Sequence, residues 1–260
     1  MVVKHIKMYF EYFKIAASTA MEYRINFIMQ VISMAVNDFI WVIFWFFIFR
    51  NFNNIAGWTF KDMILLWAIV ATSYGISGLL FGNRSNIADI VVNGGLDFYL
   101  TLPKNVLFHL LVSRISWFCL GDVVFGVIVS FFVLSVSQIP LFLFLLTTST
   151  IITVAFGVIT GSLSFFIGDS RQTSKTLWMS ILCVATYPSS VFSGFAKILI
   201  FTILPAAFIS GVPVELLRTF SLQWFFILIG FTILISLIAI VMFYAGLRRY
   251  ESGNQGFVRM

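Results

Sequence analysis

Two aspartates stand inside long apolar runs, where an ionisable side chain is costly. Asp38 lies in FIMQVISMAVNDFIWVIFWFF and Asp122 lies in CLGDVVFGVIV. An aspartate at the centre of a membrane costs about 2.5–3.5 kcal/mol on insertion scales, so each needs a partner, a proton or a position near the surface. Such acids can relay protons, or they can be structural groups satisfied by a neighbouring helix. The sequence leaves both roles open.

Polar residues also share one face of the first apolar run. Asn26, Gln30, Ser33 and Asn37 recur at intervals of four, three and four residues, and Trp41 continues the series. These intervals put the four polar residues on one face of a helix. Such a stripe must face protein or a wet pathway, because lipid would not solvate it. The five residues are our candidates for a substrate pathway, with interhelical hydrogen bonding as the open alternative.

Motifs for covalent or metal chemistry are missing from the sequence. No lysine follows a glycine, which excludes the phosphate-binding motif G-x-x-x-x-G-K-[ST], and H-E-x-x-H and G-x-S-x-G are also absent. The histidines are His5 and His109, and the cysteines Cys119 and Cys183 lie inside apolar runs as expected of buried thiols. We therefore expect no catalytic residue, no metal site and no cofactor in this chain.

The composition indicates the environment in which these residues must work. The chain is 60% hydrophobic and 10% charged, with 32 Phe and a mean hydropathy of +1.03. A soluble domain would not have this composition. The net charge of +6 clusters beside the apolar runs, so it suggests no nucleic-acid partner.

Six apolar runs are long enough to cross a hydrocarbon core of about 30 Å, which takes about 20 helical residues. We expect an all-α integral membrane protein with six transmembrane helices in a domain over residues 25–250. The predicted spans are Ile25–Phe49, Met63–Phe81, Val106–Leu134, Pro140–Ile167, Leu177–Val191 and Leu222–Gly246. Six crossings place both termini on one side of the membrane.

The basic residues indicate which side is the cytoplasm. One set of connecting segments carries Lys4, Lys7, Lys14, Arg24, Arg84, Lys104, Arg114, Arg171, Lys175, Arg248, Arg249 and Arg259. The opposite set keeps only Arg50, Lys61, Lys197 and Arg218. The positive-inside rule therefore predicts cytoplasmic termini and a cytoplasmic tail over 251–260.

Residues 1–24 precede the first span and predict an amphipathic helix along the inner membrane surface. Its apolar face would carry Ile6, Tyr9, Phe10, Phe13 and Ala17. A helix packed on a partner subunit is the alternative.

Small residues recur in the second and fourth runs at spacings that let helix backbones approach closely. They are Ala71, Gly75, Gly78, Gly82, Thr153, Gly157, Gly161, Ser164 and Gly168. Close helix packing is the expected role of these residues.

Prolines and glycines interrupt the apolar sequence after the fifth run. Pro188 breaks the run itself, and Pro205, Gly211 and Pro213 interrupt the segment over 193–218. We expect this segment to form a re-entrant or interfacial helical hairpin on the outer side.

The segment over 84–105, between the second and third spans, is the longest predicted cytoplasmic connection. Ser85 or Asn86 can cap a short helix, and Gly94 and Gly95 can end it in the left-handed conformation. The apolar LDFYLTLP that follows would be a liability on an exposed surface. The segment therefore predicts a partner, or a dock against the N-terminal helix.

Four stretches in this chain resemble a known family. EYRINFIMQ, GGLDFYLTLPKNVLFHLL, YPSSVFSG with the later LPAAFISGVP, and GLRRYESGN occur in that order. Together they resemble membrane subunits of ABC-2 type ATP-binding-cassette transporters, in the six-span branch formerly grouped as a domain of unknown function.

The resemblance implies an exporter fold with a coupling helix that docks a cytoplasmic ATPase. By position, the ATPase-docking residues would be Ile87, Ile90, Leu96, Asp97, Phe98 and Tyr99. ATP and Mg²⁺ would bind the partner ATPase, and a second permease copy or a paralogue would complete the transporter. Family members often carry a charged residue where Asn93, Gly94 and Gly95 stand here.

The leading hypothesis is a plasma-membrane permease subunit that exports an amphipathic or hydrophobic solute. One rival is a self-sufficient ion-coupled carrier that uses Asp38 or Asp122. Another is a membrane scaffold that transports nothing.

Overall fold

The computed structural model describes residues 2–251, and the side chains of residues 7–251. Within that range the only β pairing is an isolated bridge between Ile55 and Trp58. The helices are α1 (Val2–Glu22), α2 (Arg24–Asn51), α3 (Phe60–Leu80), α4 (Ile87–Val92), α5 (Leu96–Leu100), α6 (Val106–Val112), α7 (Leu120–Val133), α8 (Ile139–Ser162), α9 (Ser164–Ile167), α10 (Arg171–Ala185), α11 (Gly194–Phe201), α12 (Val212–Arg218) and α13 (Leu222–Leu247). The predicted all-α class is confirmed. Apart from Glu251, the predicted tail over 251–260 lies outside the described residues.

Several of these helices are long and apolar enough to cross a membrane. They are α2, α3, α13 and the stretch Val136–Ile167, which contains α8 and α9. The pair Val106–Val112 and Trp117–Val133 adds a fifth crossing if it is counted as one span bent by 71°. These helices make a multi-pass membrane protein, but only four or five of the six predicted crossings qualify within the described residues.

The third predicted span, Val106–Leu134, is not a continuous helix. It is interrupted because the connection after α3 binds its backbone at the bend. The Nδ2 of Asn83 donates to the carbonyl oxygen of Leu110 at 3.0 Å, and the backbone N–H of Gly82 donates to that of Arg114 at 3.0 Å. These bonds satisfy carbonyl groups that a continued helix would have used.

The fifth predicted span, Leu177–Val191, is shifted by six residues (177 − 171) towards the N-terminus. The helix found there, α10, begins at Arg171, ends at Ala185 and has 15 residues. It ends ahead of Pro188, as the proline predicts. At 1.5 Å per residue its length is roughly 22 Å, which is less than the hydrocarbon core of a bilayer.

Helix α3 runs through the middle of the bundle and positions the other helices. It packs against α2, α7 and α8, and α8 packs in turn against α13 and α10. Met63, Leu66 and Ile69 of α3 are fully buried. Large apolar side chains of α2 and α13, such as Phe47 and Val241, are exposed, as expected of surfaces that face lipid.

The predicted close packing at small residues is confirmed along α3 and α8. A Cβ atom added to Gly75 would lie 2.9 Å from the carbonyl oxygen of Cys119, and one added to Gly157 would lie 2.7 Å from that of Arg84. Gly168 has a different role, since nothing lies within 4 Å of its Cβ position and its φ of +75° ends α9.

The predicted outer hairpin over 193–218 folds as α11, a π-helical turn at Ala207–Gly211, and α12. The turn and α12 are buried against α8, α3 and α13. The hydroxyl of Ser149 on α8 donates to the carbonyl oxygen of Ile209 at 2.7 Å. The segment therefore closes the end of the bundle that lies away from α4.

Helix α1 lies against the bend between α6 and α7. The indole N–H of Trp117 donates to the carbonyl oxygen of Ala16 at 3.0 Å, and the Phe13 ring contacts Trp117 at 5.4 Å. On the predicted apolar face, Phe10 remains exposed, while the side chain of Ile6 lies outside the described residues.

Candidate functional site

The segment over 84–105 forms a braced platform at one end of the bundle. Its first helix, α4, packs on α8, where a Cβ atom added to Gly161 would lie 2.5 Å from the Cβ of Ile87. Only a glycine therefore lets the two backbones approach this closely. The predicted side-chain cap is wrong, because Asn86 precedes α4 without a side-chain cap hydrogen bond. The predicted left-handed stop is confirmed at Gly94, whose φ is +74°.

Two of the predicted docking residues hold the platform in place. Ile87 and Leu96 are fully buried, so a partner could touch them only if the platform unpacked. Ile90, Asp97 and Tyr99 are half-buried.

The aromatic pair of α5 divides into one anchored ring and one exposed ring. The hydroxyl of Tyr99 bonds the Oγ of Ser113 at 2.9 Å, and its ring contacts His109 at 5.0 Å. Phe98 is 58% exposed although its ring contacts Tyr99 at 5.3 Å. The platform therefore presents the Phe98 ring to the exterior, together with Leu100, which is 43% exposed.

His109 also ties this platform to α1. Its Nε2 lies 2.6 Å from the hydroxyl of Tyr12, and the two rings are 5.7 Å apart. Because Tyr99 contacts the same imidazole, α1 and α5 share one buried histidine.

Charged side chains from the start of α10 border the platform. Lys175 bonds Asp89 of α4 at 3.0 Å, and the Nη1 of Arg171 donates to the side-chain oxygen of Asn93 at 3.3 Å. The Arg171 guanidinium also lowers the pKa of the Asp169 carboxyl, chiefly through their hydrogen bond. Helix α10 thus places charged side chains beside Asn93, Gly94 and Gly95, the positions at which family members often carry a charge.

Tyr250, three residues after the end of α13 (250 − 247), lies beside the same platform. Burial raises the pKa of Tyr250 to about 12, and the nearby carboxylate of Asp97 in α5 adds to this effect. The segment just after the last span therefore lies beside the platform.

The predicted pathway stripe lies on an exposed face of α2. The side chains of Asn26, Gln30, Ser33 and Asn37 are exposed, and Trp41 is half-buried. Some of these groups bond within α2: the Nε2 of Gln30 donates to the Oδ1 of Asn26 at 3.3 Å, and the hydroxyl of Ser33 donates to the carbonyl oxygen of Met29 at 2.7 Å. Asn26 and Gln30 line a cavity of about 360 Å³ between α1, α2 and the bend.

The aromatic end of this stripe packs differently. The ring of Trp41 contacts Trp67 of α3 at 5.2 Å and Phe44 at 5.4 Å. Trp41 therefore joins α2 to α3 as well as bordering the exposed face.

Sequence patterns missed a second polar face in the membrane region. Gln172, Thr176 and Cys183 of α10 are exposed, and with Ser180 they line a groove of about 410 Å³. The spacing of four residues from Gln172 to Ser180 was the available signal. It was missed because the fifth span was expected to start at Leu177, which left the polar residues in a loop.

An apolar cavity of about 350 Å³ opens between α6, α8 and α13. Leu107, Leu111, Val154, Ile240 and Tyr244 are among its lining residues. Its size and lining suit an acyl chain or another apolar group.

The structure also brings together the two aspartates that stood 84 positions apart (122 − 38). Asp38 of α2 and Asp122 of α7 are both buried, and their carboxyl groups lie within hydrogen-bonding reach of each other. Groups of His, Cys, Asp and Glu that could hold a metal ion do not occur within the described residues.

Taken together, these features define a multi-pass helical membrane protein with a short helical platform at one end of its bundle. A family model described as ABC-2 family transporter protein matches residues 32–254. The chain therefore belongs to the ABC-2 family of transporter proteins, and it is a membrane permease component, as its motifs predicted. Searches of curated proteins and of solved structures found no match.

Proposed function

We propose that this chain is the permease subunit of an ATP-driven exporter in the plasma membrane, with both termini in the cytoplasm. Its solute would be amphipathic or hydrophobic, such as a drug, an antibiotic, a peptide or a lipid-like molecule. A separately encoded ATPase would bind ATP and Mg²⁺ and dock on the platform of α4 and α5.

The observation that carries this proposal is the combination of a rigid mount and an exposed aromatic ring. Ile87 and Leu96 fix the platform in the core, whereas Phe98 of α5 is 58% exposed. A charged pair, Lys175 with Asp89 of α4, also lies on the platform. Exposed aromatic side chains with a polar rim are typical of the central contacts of protein interfaces. A platform so braced can transmit force from a partner to the spans.

A second permease copy or a paralogue would cover the polar faces of α2 and α10. Amides and hydroxyls at Gln30, Asn37, Gln172 and Thr176 are exposed within the helices of the bundle. Facing lipid they would lack partners, whereas between two subunits they can line a wet path. Closure of the ATPases would then move the platforms and alternate the access of this path.

The test replaces the exposed ring and keeps a matched control. Phe98→Ser should abolish both co-purification of the ATPase and transport-linked ATP hydrolysis, because it removes the central apolar contact. Phe220→Ser is the control, since Phe220 is 59% exposed and lies at the other end of the bundle, just before α13. Both properties should survive in the control.

Retention of ATPase binding and of stimulated hydrolysis by a stably folded Phe98→Ser variant would reject the docking role. A further variant, Tyr99→Ser, should perturb the platform itself because Tyr99 bonds Ser113.

A self-sufficient carrier is the second candidate, because the two buried aspartates meet in the structure. Asp38 and Asp122 are 3% and 2% exposed, and a carrier would have to open this site to each side in turn. Liposomes that contain this chain alone should then show uptake driven by a proton gradient. Our proposal predicts no such uptake, and a scaffold would leave the ATPase unaffected by solutes.

A further inference from the structure

Arg84 is a buried cation at the start of the platform segment. It is 2% exposed, and its guanidinium lies over the ring of Tyr74 at 4.8 Å and over the ring of Trp178 at 5.2 Å. Its Nη2 donates to the carbonyl oxygen of Tyr74 at 3.3 Å, but its Nε has no acceptor. A buried guanidinium with so few acceptors needs a counter-charge.

The nearest counter-charge is Asp122, which lies against the face of α3 that carries Gly75 and Gly78. A Cβ atom added to Gly78 would lie 3.2 Å from the Nη1 of Arg84, and one added to Gly75 would lie 3.0 Å from the Cβ of Asp122. Residues three apart share a helix face, so the guanidinium and the carboxyl group sit on adjacent turns. Asp122 interacts electrostatically with Arg84 without a direct ion pair.

Asp38 joins this group from α2. Helices α2 and α7 approach closely beside the pair, since a Cβ atom added to Gly121 would lie 2.8 Å from the Cβ of Met34. The carboxyl groups of Asp38 and Asp122 are within hydrogen-bonding reach of each other. The Oδ2 atom of each is buried and accepts no hydrogen bond from a described N–H or O–H donor.

The other polar groups around the cluster are a thiol, an indole and a phenol. Cys119 lies beside Arg84 and Asp122, and Tyr74 lies beside Arg84. The indole N–H of Trp67 is near Asp38, at a geometry too poor for a full hydrogen bond. Arg84 and the two carboxyl groups are therefore the groups that set the charge of the cluster.

We propose that Asp38 and Asp122 share a single proton, and that the remaining negative charge balances Arg84 in a neutral cluster that positions the platform against the spans. Two ionised carboxylates are both acceptors, so a hydrogen bond between them requires a proton. Two neutral carboxyl groups would leave Arg84 without a counter-charge. One shared proton meets both conditions.

The cluster joins the platform segment to three helices of the bundle. Arg84 belongs to the platform segment, Trp178 to α10, Asp122 to α7 and Asp38 to α2, which carries the polar stripe. This role rests on the proposed function, because only a docked ATPase would displace the platform. Arg84 is thus a positioning residue, and it acts on the pathway through the two aspartates.

Infrared difference spectra of the purified chain in lipid at neutral pH test the shared proton. Subtracting the spectrum of Asp38→Asn or Asp122→Asn from that of the wild type should leave the carbonyl stretch of one protonated carboxyl group. The single variants should fold, because the remaining carboxylate still balances Arg84 and accepts from the new amide. Arg84→Gln should gain a second protonated carboxyl group. Asp169→Asn, at an exposed ion pair with Arg171, should leave the band of the protonated carboxyl group unchanged.

A wild-type chain with no protonated carboxyl group at this pair, or with two, would overturn the proposal. Charge rescue gives an independent measure: the double variant Asp38→Asn/Asp122→Asn should lose most of its folded, monodisperse protein, and adding Arg84→Gln should restore it. A triple variant no better folded than the double variant would contradict charge balance.

The positioning role is separated from docking in the complex with the ATPase. Arg84→Gln should keep ATPase co-purification and lose solute-coupled transport, whereas Phe98→Ser should lose co-purification. Full coupling in Arg84→Gln would overturn the positioning role. If the wild type binds no ATPase, the proposed function fails, while the infrared result still decides the shared proton.

Discussion

The platform depends on two glycines of α8 as much as on the large side chains that it buries. At Gly157 and Gly161 of α8, the backbone of Arg84 and the Cβ of Ile87 lie so close that a methyl group on either glycine would clash with them. Burial of Ile87 then fixes α4 without a side-chain cap. The contact lies near the backbone on both sides, so neither partner can easily move away.

Gly161→Ala should therefore destabilise the protein, by about 1–3 kcal/mol as for overpacked cores. Gly230→Ala is the control, since nothing lies within 4 Å of the Cβ position of Gly230 in α13. An alanine in an open helix position should stabilise by up to about 1 kcal/mol. Unfolding of the two variants in detergent measures the difference in their free energies of unfolding. Equal values would contradict the close packing of α4 on α8.

Sequence patterns predicted glycine packing but not the burial of Arg84. The charge rule counts every Arg beside a span as a surface residue, and Arg84 lies four residues after the end of α3 (84 − 80). A signal was nevertheless present, because Asp38 and Asp122 each required a partner. Only the fold brings the two carboxyl groups together near Arg84, which is the arrangement that our proposal of a shared proton explains.

At the scale of elements, the bend between α6 and α7 decides how the platform meets the bundle. Asn83 is buried, and its Nδ2 donates to the carbonyl oxygen of Leu110 and to the Oγ of Ser113, at 3.0 and 2.8 Å. Ser113 also bonds Tyr99. One amide therefore holds the end of α6, the start of the platform segment and the anchored ring of α5.

Asn83→Ala should cost about 1–3 kcal/mol of stability, because it leaves the buried Leu110 carbonyl without this donor. Asn86→Ala is the matched control three residues later, where the side chain makes no cap hydrogen bond to α4. Denaturant unfolding in micelles compares them. A loss in Asn86→Ala as large as that in Asn83→Ala would argue against the proposed role of the amide.

The bounds of a helix could be predicted where a single apolar run determines them. They could not be predicted where a contact with a distant residue determines them. The bounds of α2, α3 and α13 lie within a few residues of the predicted spans. The break near Ser113 depends on Asn83, thirty positions earlier, and no local pattern contains that information. The start of α10 was missed because its polar face resembles a loop.

At the scale of the whole molecule, the charges and the platform define one end of the bundle and α11 and α12 the other. Arg171, Lys175 and Arg249 lie at the platform end, and Arg218 pairs with Asp62 at the far end at 3.4 Å. The excess of basic residues at the platform end supports a cytoplasmic platform.

Thiol labelling in intact cells tests this orientation. In a Cys183→Ser background, which removes the exposed thiol, Phe220→Cys should react with a membrane-impermeant maleimide. Phe98→Cys should react only after the membrane is permeabilised. The reverse pattern would invert the proposed topology and place the platform outside the reach of a cytoplasmic ATPase.

The shortness of α10 has a consequence for the lipid around it. At roughly 22 Å it is several ångströms shorter than a hydrocarbon core of about 30 Å, and a helix that is too short is accommodated by a thinner bilayer. The exposed groups of Gln172 and Thr176 on α10 would draw water and headgroups into that depression. An amphipathic molecule leaving the inner leaflet beside α10 would then cross less hydrocarbon than it would beside the longer helices α2 and α13.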